Sequence, residues 1–289
     1  MDEPFGPPEL PLRRRLLLGA AALSAGLLAR PVRADGAIRI GLTPVFLDDQ
    51  ASFLERWRRY LEVRLQRPIR FVQRRSYADV LRLLLEGEAE FAWLCGFPYW
   101  QQRERLELVA VPLYRGEPLY RAYLIRNRAR GDIRRLEDLA GKAFAYSDPD
   151  SNSGFLYVQH RLAVAGLSRS QFFGRSFFTW GHRRVVEAVA AQLAQGGSVD
   201  GYVWDVLARQ HPELTGATEI FEQSDAFGFP PIVAARGLDR DTLQRTRAVL
   251  LDMSADEEGR RLLGTLALDG FVPGEPALFE GIGRMAAGL

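Results

Sequence analysis

The residues best suited to chemistry in this chain are small hydrogen-bond donors gathered in one loop. Asp150-Ser151-Asn152-Ser153-Gly154 combines hydroxyls, an amide and a conformationally free glycine, and an apolar run follows it. That composition predicts a loop opening a helix. The first N–H groups of a helix have no intrahelical acceptor, so such a loop can hold a small anion without arginine or lysine. Ser151 and Ser153 would add hydroxyl donors, and Asn152 an amide. The same residues also read as an ordinary helix cap with no ligand. His182 follows Gly181 just before a predicted helix, where an imidazole in either charge state can donate to an oxyanion, cap the helix or face solvent. Asp205 falls at the end of the next predicted strand or at the following helix start. A carboxylate beside an anion is repelled unless a proton or hydroxyl lies between them, so binding and capping are both open to Asp205. Ser153, His182 and Asp205 can be drawn as a nucleophilic triad, but the chain has no Gly-x-Ser-x-Gly elbow and no catalysis is expected.

The elements that must position these residues alternate between strand and helix. Ile38–Leu42 reads as a first strand, ended by Thr43-Pro44. Phe53, Leu54, Trp57, Tyr60, Leu61 and Leu65 recur at helical spacing over 51–65. Ile69–Val72 gives a second strand, Ser76-Tyr77 starts a helix running to Gly87, and Phe91–Leu94 is a buried strand stopped by Gly96 and Pro98. Alternation at this length predicts a mostly parallel sheet. Tyr120–Ile125 is extended, Leu136–Leu139 a short turn or helix, and Phe155–Ala165 an apolar helix. A strand lies within 172–178. A helix runs from Arg183 to about Gln195 and is ended by Gly196-Gly197. Asp200–Trp204 reads as the next strand, on which Tyr202 and Trp204 share one face, lining a cleft or packing in the core. Ile220–Glu222 and Pro230–Ala234 lead back to the first half, and 239–288 is largely helical.

Arg13-Arg14-Arg15 precede an apolar, small-residue run from Leu16 to Ala29, and Val32 and Ala34 suit a cleavage site. This pattern predicts a secretory signal peptide over residues 1–34, with paired arginines like those of twin-arginine signals. The run is short for a bilayer span. Residues 1–34 hold five arginines and three acids, so the remainder balances at 33 cations against 33 anions. A neutral surface gives no electrostatic reason to expect nucleic acid. Cys95 is the single cysteine, which excludes an internal disulfide.

Taken in order, these pieces resemble a known family. Thr43-Pro44, the Tyr77 helix start, Phe91-Ala92-Trp93-Leu94-Cys95-Gly96-Phe97-Pro98-Tyr99, Leu136–Lys142, Asp148–Gly154, Gly181-His182 and Val199-Asp200-Gly201 are similar to the phosphate, phosphite and phosphonate branch of the periplasmic substrate-binding proteins. The resemblance covers residues 37–275 and implies an α/β, two-lobed, type II (transferrin-like) fold. Each lobe would be a mixed, mostly parallel sheet flanked by helices, with lobe 1 formed by 35–123 plus 228–289 and lobe 2 by 124–227. It implies a non-enzymatic, monomeric periplasmic protein without cofactor or metal, which captures a small oxyanion between its lobes for an ABC permease. The ligand-binding residues it implies are Tyr77, Cys95, Tyr99, Ser151, Asn152, Ser153, His182 and Asp205, with Tyr77 and Tyr99 closing over the anion through their phenols. The family has Ser or Thr where Asn152 stands. Some relatives sense arsenite through a cysteine and signal to a membrane histidine kinase, and Cys95 at a strand end facing the cleft makes that the alternative role. Cys95 also reads simply as a small buried hydrophobe.

Overall fold

The computed structural model describes residues 36–44 and 51–289. The expected signal peptide lies outside the described residues. Strands are β1 (Ile38–Leu42), β2 (Ile69–Gln73), β3 (Phe91–Trp93), β4 (Leu106–Leu113), β5 (Leu119–Asn127), β6 (Ala143–Tyr146), β7 (Arg175–Phe178), β8 (Gly196–Asp200), β9 (Thr218–Gly228), β10 (Ile232–Ala235) and β11 (Gly270–Val272). Helices are α1 (Ala51–Leu65), α2 (Tyr77–Leu85), α3 (Gly96–Gln101), α4 (Tyr157–Val164), α5 (Arg169–Phe172), α6 (His182–Ala190), α7 (Gly201–Gln210), α8 (Pro212–Thr215), α9 (Arg240–Leu251), α10 (Glu257–Thr265) and α11 (Glu280–Ala287). Among the described residues, no helix is long and apolar enough to cross a membrane.

Two sheets organise the chain. One has the order β11-β4-β10-β3-β1-β2 and the other β7-β6-β8-β5-β9. The chain passes between them twice, through residues 114–118 after β4 and residues 229–231 after β9. The pairings β1–β2, β1–β3, β6–β7 and β6–β8 are parallel, as the βαβ rhythm requires. Strands bordering the crossings pair antiparallel: β10 with β3 and β4, and β5 with β8 and β9. The sheets are therefore mixed rather than mostly parallel, because each crossing strand re-enters its sheet against the local direction.

The first sheet is packed by aromatics spaced along α1. Trp57 is buried and stacks on Phe71 at 5.0 Å, while Trp93 meets its edge at 5.8 Å. In the second sheet Phe144 stacks on Phe173 at 4.5 Å and packs edge-on to Tyr146. Helix α11 lies on α3 and also touches α4, so the C-terminal segment bridges both halves.

Several local expectations need correction. Asp200–Trp204 is not a strand: β8 ends at Asp200, whose carboxylate accepts the N–H groups of Tyr202 at 2.9 Å and Val203 at 3.4 Å and so starts α7. Tyr202 and Trp204 consequently sit on a helix. Helix α6 stops at Ala190, and Gly196-Gly197 belong to β8 rather than to a helix end. Glycine is required there by close approach, since a Cβ on Gly197 would come within 2.5 Å of a Val185 methyl. Strand β3 stops before Gly96 and Pro98 as expected, and both lie within the short helix α3. Strands β4 and β11 have no counterpart among the expectations. The first is an apolar run broken by Glu107 and Pro112, and the second is three residues long in a helical context.

Candidate functional site

Six elements converge between the sheets. From the first come Thr43 at the end of β1, Tyr77 at the start of α2, and Trp93 with Cys95 at the end of β3. From the second come His182 at the start of α6, Asp200 at the end of β8 and Tyr202 in the first turn of α7. Phe229 and Pro230 close the remaining side. Together they wall a small cavity of about 20 Å³. No lysine or arginine is among these wall residues.

Each functional side chain has a local reason for its position. Ser76 caps α2 by accepting the Asp79 N–H at 3.1 Å, which fixes Tyr77 as the first helical residue. The Tyr77 N–H donates to Asp148 Oδ2 at 3.0 Å, tying α2 to the loop after β6. The Tyr77 phenol then lies 3.1 Å from His182 Nε2, a hydrogen bond from one half of the molecule to the other. His182 Nδ1 accepts the Asp200 N–H at 3.0 Å. Because Nδ1 accepts, the neutral ring carries its proton on Nε2 and donates it to the phenol oxygen. Burial pushes the His182 pKa down to about 3, so the neutral ring prevails near pH 7. The Tyr77 pKa is raised, also chiefly by burial, and its phenol stays protonated. An ordered chain results: Asp200 N–H to Nδ1, Nε2–H to the phenol oxygen, leaving the phenol's own proton to donate. Such chains reinforce one another in a low-dielectric setting.

Asp200 is buried, and that burial pushes its pKa up to about 7, against the opposing effect of the two N–H groups it caps. Cys95 is buried and its thiol is pushed up to about 12, again by burial first. Its sulfur accepts the Asn152 N–H at 3.3 Å. It is therefore a thiol that faces the cavity and joins the Ser/Asn loop to β3.

The Ser151–Asn152–Ser153 segment is fully buried and starts a wide, π-helical turn over Asn152–Leu156 that runs into α4, so it does open a helix. Ser151 Oγ caps this turn by accepting the Gly154 N–H at 2.9 Å. The Asn152 amide donates to the Tyr120 phenol at 2.9 Å. Asn152 Oδ1, the Ser153 hydroxyl and the nearby Ser147 hydroxyl are buried without a hydrogen-bond partner. Ser153 Oγ lies beside the Tyr120 phenol without the geometry of a full bond. Leaving such groups unpaired costs roughly 1–3 kcal/mol each, so the turn holds unused hydrogen-bonding capacity behind Cys95.

Of the residues expected from sequence, Tyr77, Cys95 and His182 line the cavity, and Asn152 reaches it through Cys95. Ser151 and Ser153 stand behind it in the turn. Tyr99 does not line the cavity: it is buried in α3 with its ring edge-on to Phe279 at 4.8 Å. Asp205 is also elsewhere. Because the chain after Asp200 is helical, Asp205 is carried to the second turn of α7. There it accepts from the phenols of Tyr114 at 2.7 Å and Tyr123 at 3.3 Å and pairs with Arg115 at 3.0 Å. The acid at the cavity is Asp200, which sequence reasoning placed in a strand entry. An aspartate followed by glycine and an apolar helical stretch is a cap signal that would have found it. Among the described residues, no cluster of three or more metal-ligating side chains occurs.

A pair of mixed sheets joined by two crossings, with a cavity between them, is the type II periplasmic binding-protein fold. The chain belongs to the phosphonate ABC-transporter periplasmic substrate-binding protein family, whose model matches residues 40–279. The phosphate-import protein PhnD of Mycolicibacterium smegmatis is 28% identical over 158 residues, which is 51% of this chain and 48% of that protein. The chain thus spans about half the length of this curated relative. Among solved structures, a binding-protein component of an ABC phosphonate transporter from Pseudomonas aeruginosa superposes with a TM-score of 0.81 at 18% identity, covering 87% of this chain and 86% of that one. PhnD1 of Prochlorococcus marinus in complex with methylphosphonate gives 0.79 at 16% identity, over 88% and 98%. At such identities these structures establish a shared fold.

Proposed function

We propose that this protein is an exported solute-binding protein that captures a small phosphorus oxyanion between its two sheets and presents it to an ABC permease. The observation that carries this reading is the hydrogen bond between His182 Nε2–H and the Tyr77 phenol across the cavity, because ligand-dependent closure needs groups contributed by both halves at one point. The Tyr77 phenol, oriented by His182, supplies a neutral, directed donor, Thr43 adds a hydroxyl, and Asp200 in its protonated form reads an unprotonated ligand oxygen. The unpaired groups of the Ser151–Ser153 turn supply further capacity once the ligand is seated. Water exclusion by Trp93, Tyr202, Phe229 and Pro230 strengthens every one of these bonds. Neutral donors suffice because a buried anion needs hydrogen bonds more than an opposite charge, as at helix N-termini. The export leader over residues 1–34 is removed near Ala34, and the mature protein works in the periplasm as lobe 1 (35–123 plus 228–289) and lobe 2 (124–227).

The Cys95 thiol at the cavity wall supports a second reading, arsenite sensing with a membrane histidine kinase as partner. Calorimetry separates the two. Protein purified without phosphate is titrated with inorganic phosphate, phosphite, methylphosphonate and arsenite, beside a Cys95→Ala variant. One-to-one binding of a phosphorus oxyanion that survives Cys95→Ala supports capture for import. Arsenite binding abolished by Cys95→Ala replaces that reading with the sensor, and heat from none of the four removes the oxyanion assignment.

A further inference from the structure

Tyr202 stands between two recesses. On one side it walls the interlobe cavity with Phe229 and Pro230. On the other it lines a more open recess shared by Tyr114, Arg115, Glu117, Arg121 and Tyr123. The residue is only 7% exposed and is held at both ends. Its backbone lies in the first turn of α7, while its hydroxyl donates to the Leu266 carbonyl at the end of α10, at 2.7 Å. Its ring is fixed edge-on by Phe229 at 5.0 Å and Tyr114 at 5.2 Å. A side chain anchored at base, ring and tip does not swing aside for a bulkier ligand.

The other walls offer no comparable exit. Trp93 is pinned by its indole N–H on the Pro230 carbonyl at 2.9 Å, Asp200 by the N–H groups of α7, and Tyr77 and His182 by each other. Tyr202 is the wall residue with a second recess directly behind it. We infer that Tyr202 is the specificity-determining partition of the site: its ring limits how long a substituent the bound oxyanion can carry, and seals off a neighbouring recess that would otherwise hold a longer tail. This inference rests on the reading of the interlobe cavity as an oxyanion site.

The recess behind the partition defines which tail it would take. Arg115 and Arg121 present two guanidinium groups there beside two carboxylates, Glu117 and the Asp205 that pairs with Arg115, so Arg121, held by a neutral carbonyl, is the cation that a tail would meet. Arg115 is paired on one side with Asp205 but its side chain is 60% exposed, and Arg121 donates to the Ser224 carbonyl at 2.6 Å. Opening the partition therefore favours a phosphonate whose tail ends in a carboxylate.

The test titrates methylphosphonate, propylphosphonate and 3-phosphonopropionate into wild type, Tyr202→Phe, Tyr202→Leu and Tyr202→Ala. Forcing added methylenes against a rigid wall is unfavourable, so wild type should bind propylphosphonate at least about tenfold more weakly than methylphosphonate. Tyr202→Phe keeps the ring and should keep that ratio. Tyr202→Ala should reduce it to within about threefold and should bind 3-phosphonopropionate more tightly than propylphosphonate. Tyr202→Leu, which preserves more of the core packing, should fall between them and serves as the deciding variant if Tyr202→Ala fails to fold. If wild type takes only inorganic anions, the same relaxation is read between phosphite and methylphosphonate. Equal binding of methyl- and propylphosphonate by wild type overturns the partition, as does an undiminished ratio in a folded Tyr202→Ala or Tyr202→Leu protein. Absence of any oxyanion binding by wild type overturns the site assignment itself, and the partition with it, so the two failures are told apart.

Discussion

Replacing Asp200 or His182 should tilt stability against pH in opposite directions. Burial raises Asp200 from 3.8 to about 7, so between these values the folded state holds a proton that the unfolded state has lost. Stability from this group is fully present below about pH 4 and is lost as pH rises towards 7. Burial lowers His182 from 6.5 to about 3, so over that range the unfolded state holds the extra proton. Its contribution is present above pH 6.5 and is lost as pH falls. Each slope is about 1.4 kcal/mol per pH unit, and from about pH 4 to 6.5 they oppose each other, which flattens the wild-type profile. Asp200→Asn keeps an acceptor for the Tyr202 and Val203 N–H groups but removes the titration. Relative to wild type it should gain stability, on the order of 3 kcal/mol, as pH rises across that window. His182→Asn keeps an acceptor for the Asp200 N–H and should lose a comparable amount relative to wild type over the same interval. Urea unfolding of the three proteins at half-unit pH steps reads both differences. Variant-minus-wild-type curves that are flat with pH, or slopes of the same sign for both, would refute the electrostatic reasoning.

Three further outcomes follow from the same geometry. Oxyanion affinity in wild type should fall above pH 7 as Asp200 ionises, and calorimetry at pH 6 and 8 should show this loss abolished in Asp200→Asn. Cys95 is buried with its pKa raised to about 12, so a thiol reagent at pH 8 should label the native protein at least about a hundredfold more slowly than the protein in urea. Asp205→Asn keeps an acceptor for Tyr114 and Tyr123 and touches no cavity wall residue's polar atom, so oxyanion affinity should change by less than about threefold; a larger loss would return Asp205 to the site.

What could be read from the sequence follows the range of the interactions involved. Helix α1 and strand β2 were legible because their apolar spacing alone defines a buried face. The α2 start at Ser76-Tyr77 and the turn at Ser151–Gly154 were legible because caps are local chemistry. Strand β4 escaped because a proline inside an apolar run argues against a strand, yet Pro112 pairs with Phe271 of the short edge strand β11 and its missing N–H is tolerated there. At the site, Tyr77, Cys95 and His182 each end or begin an element facing the same gap, which an ordered reading of strand ends can find. Asp205 failed because five residues along α7 from Asp200 rotate its side chain off the face where the helix starts, and Tyr99 because its ring packs edge-on to Phe279 in the core. Asp200, one residue before α7, stayed on that face. The roles of Tyr120, Phe229 and Pro230 depend on contacts between segments about 30 to 140 residues apart, which no local pattern carries.

The most direct test of the central claim is a crystal structure with the oxyanion that calorimetry shows to bind. The account predicts the anion between the two sheets, within hydrogen-bonding reach of the Tyr77 phenol and His182 Nε2 and against Asp200. An anion bound outside that cavity, or one held solely by surface arginines, would contradict it.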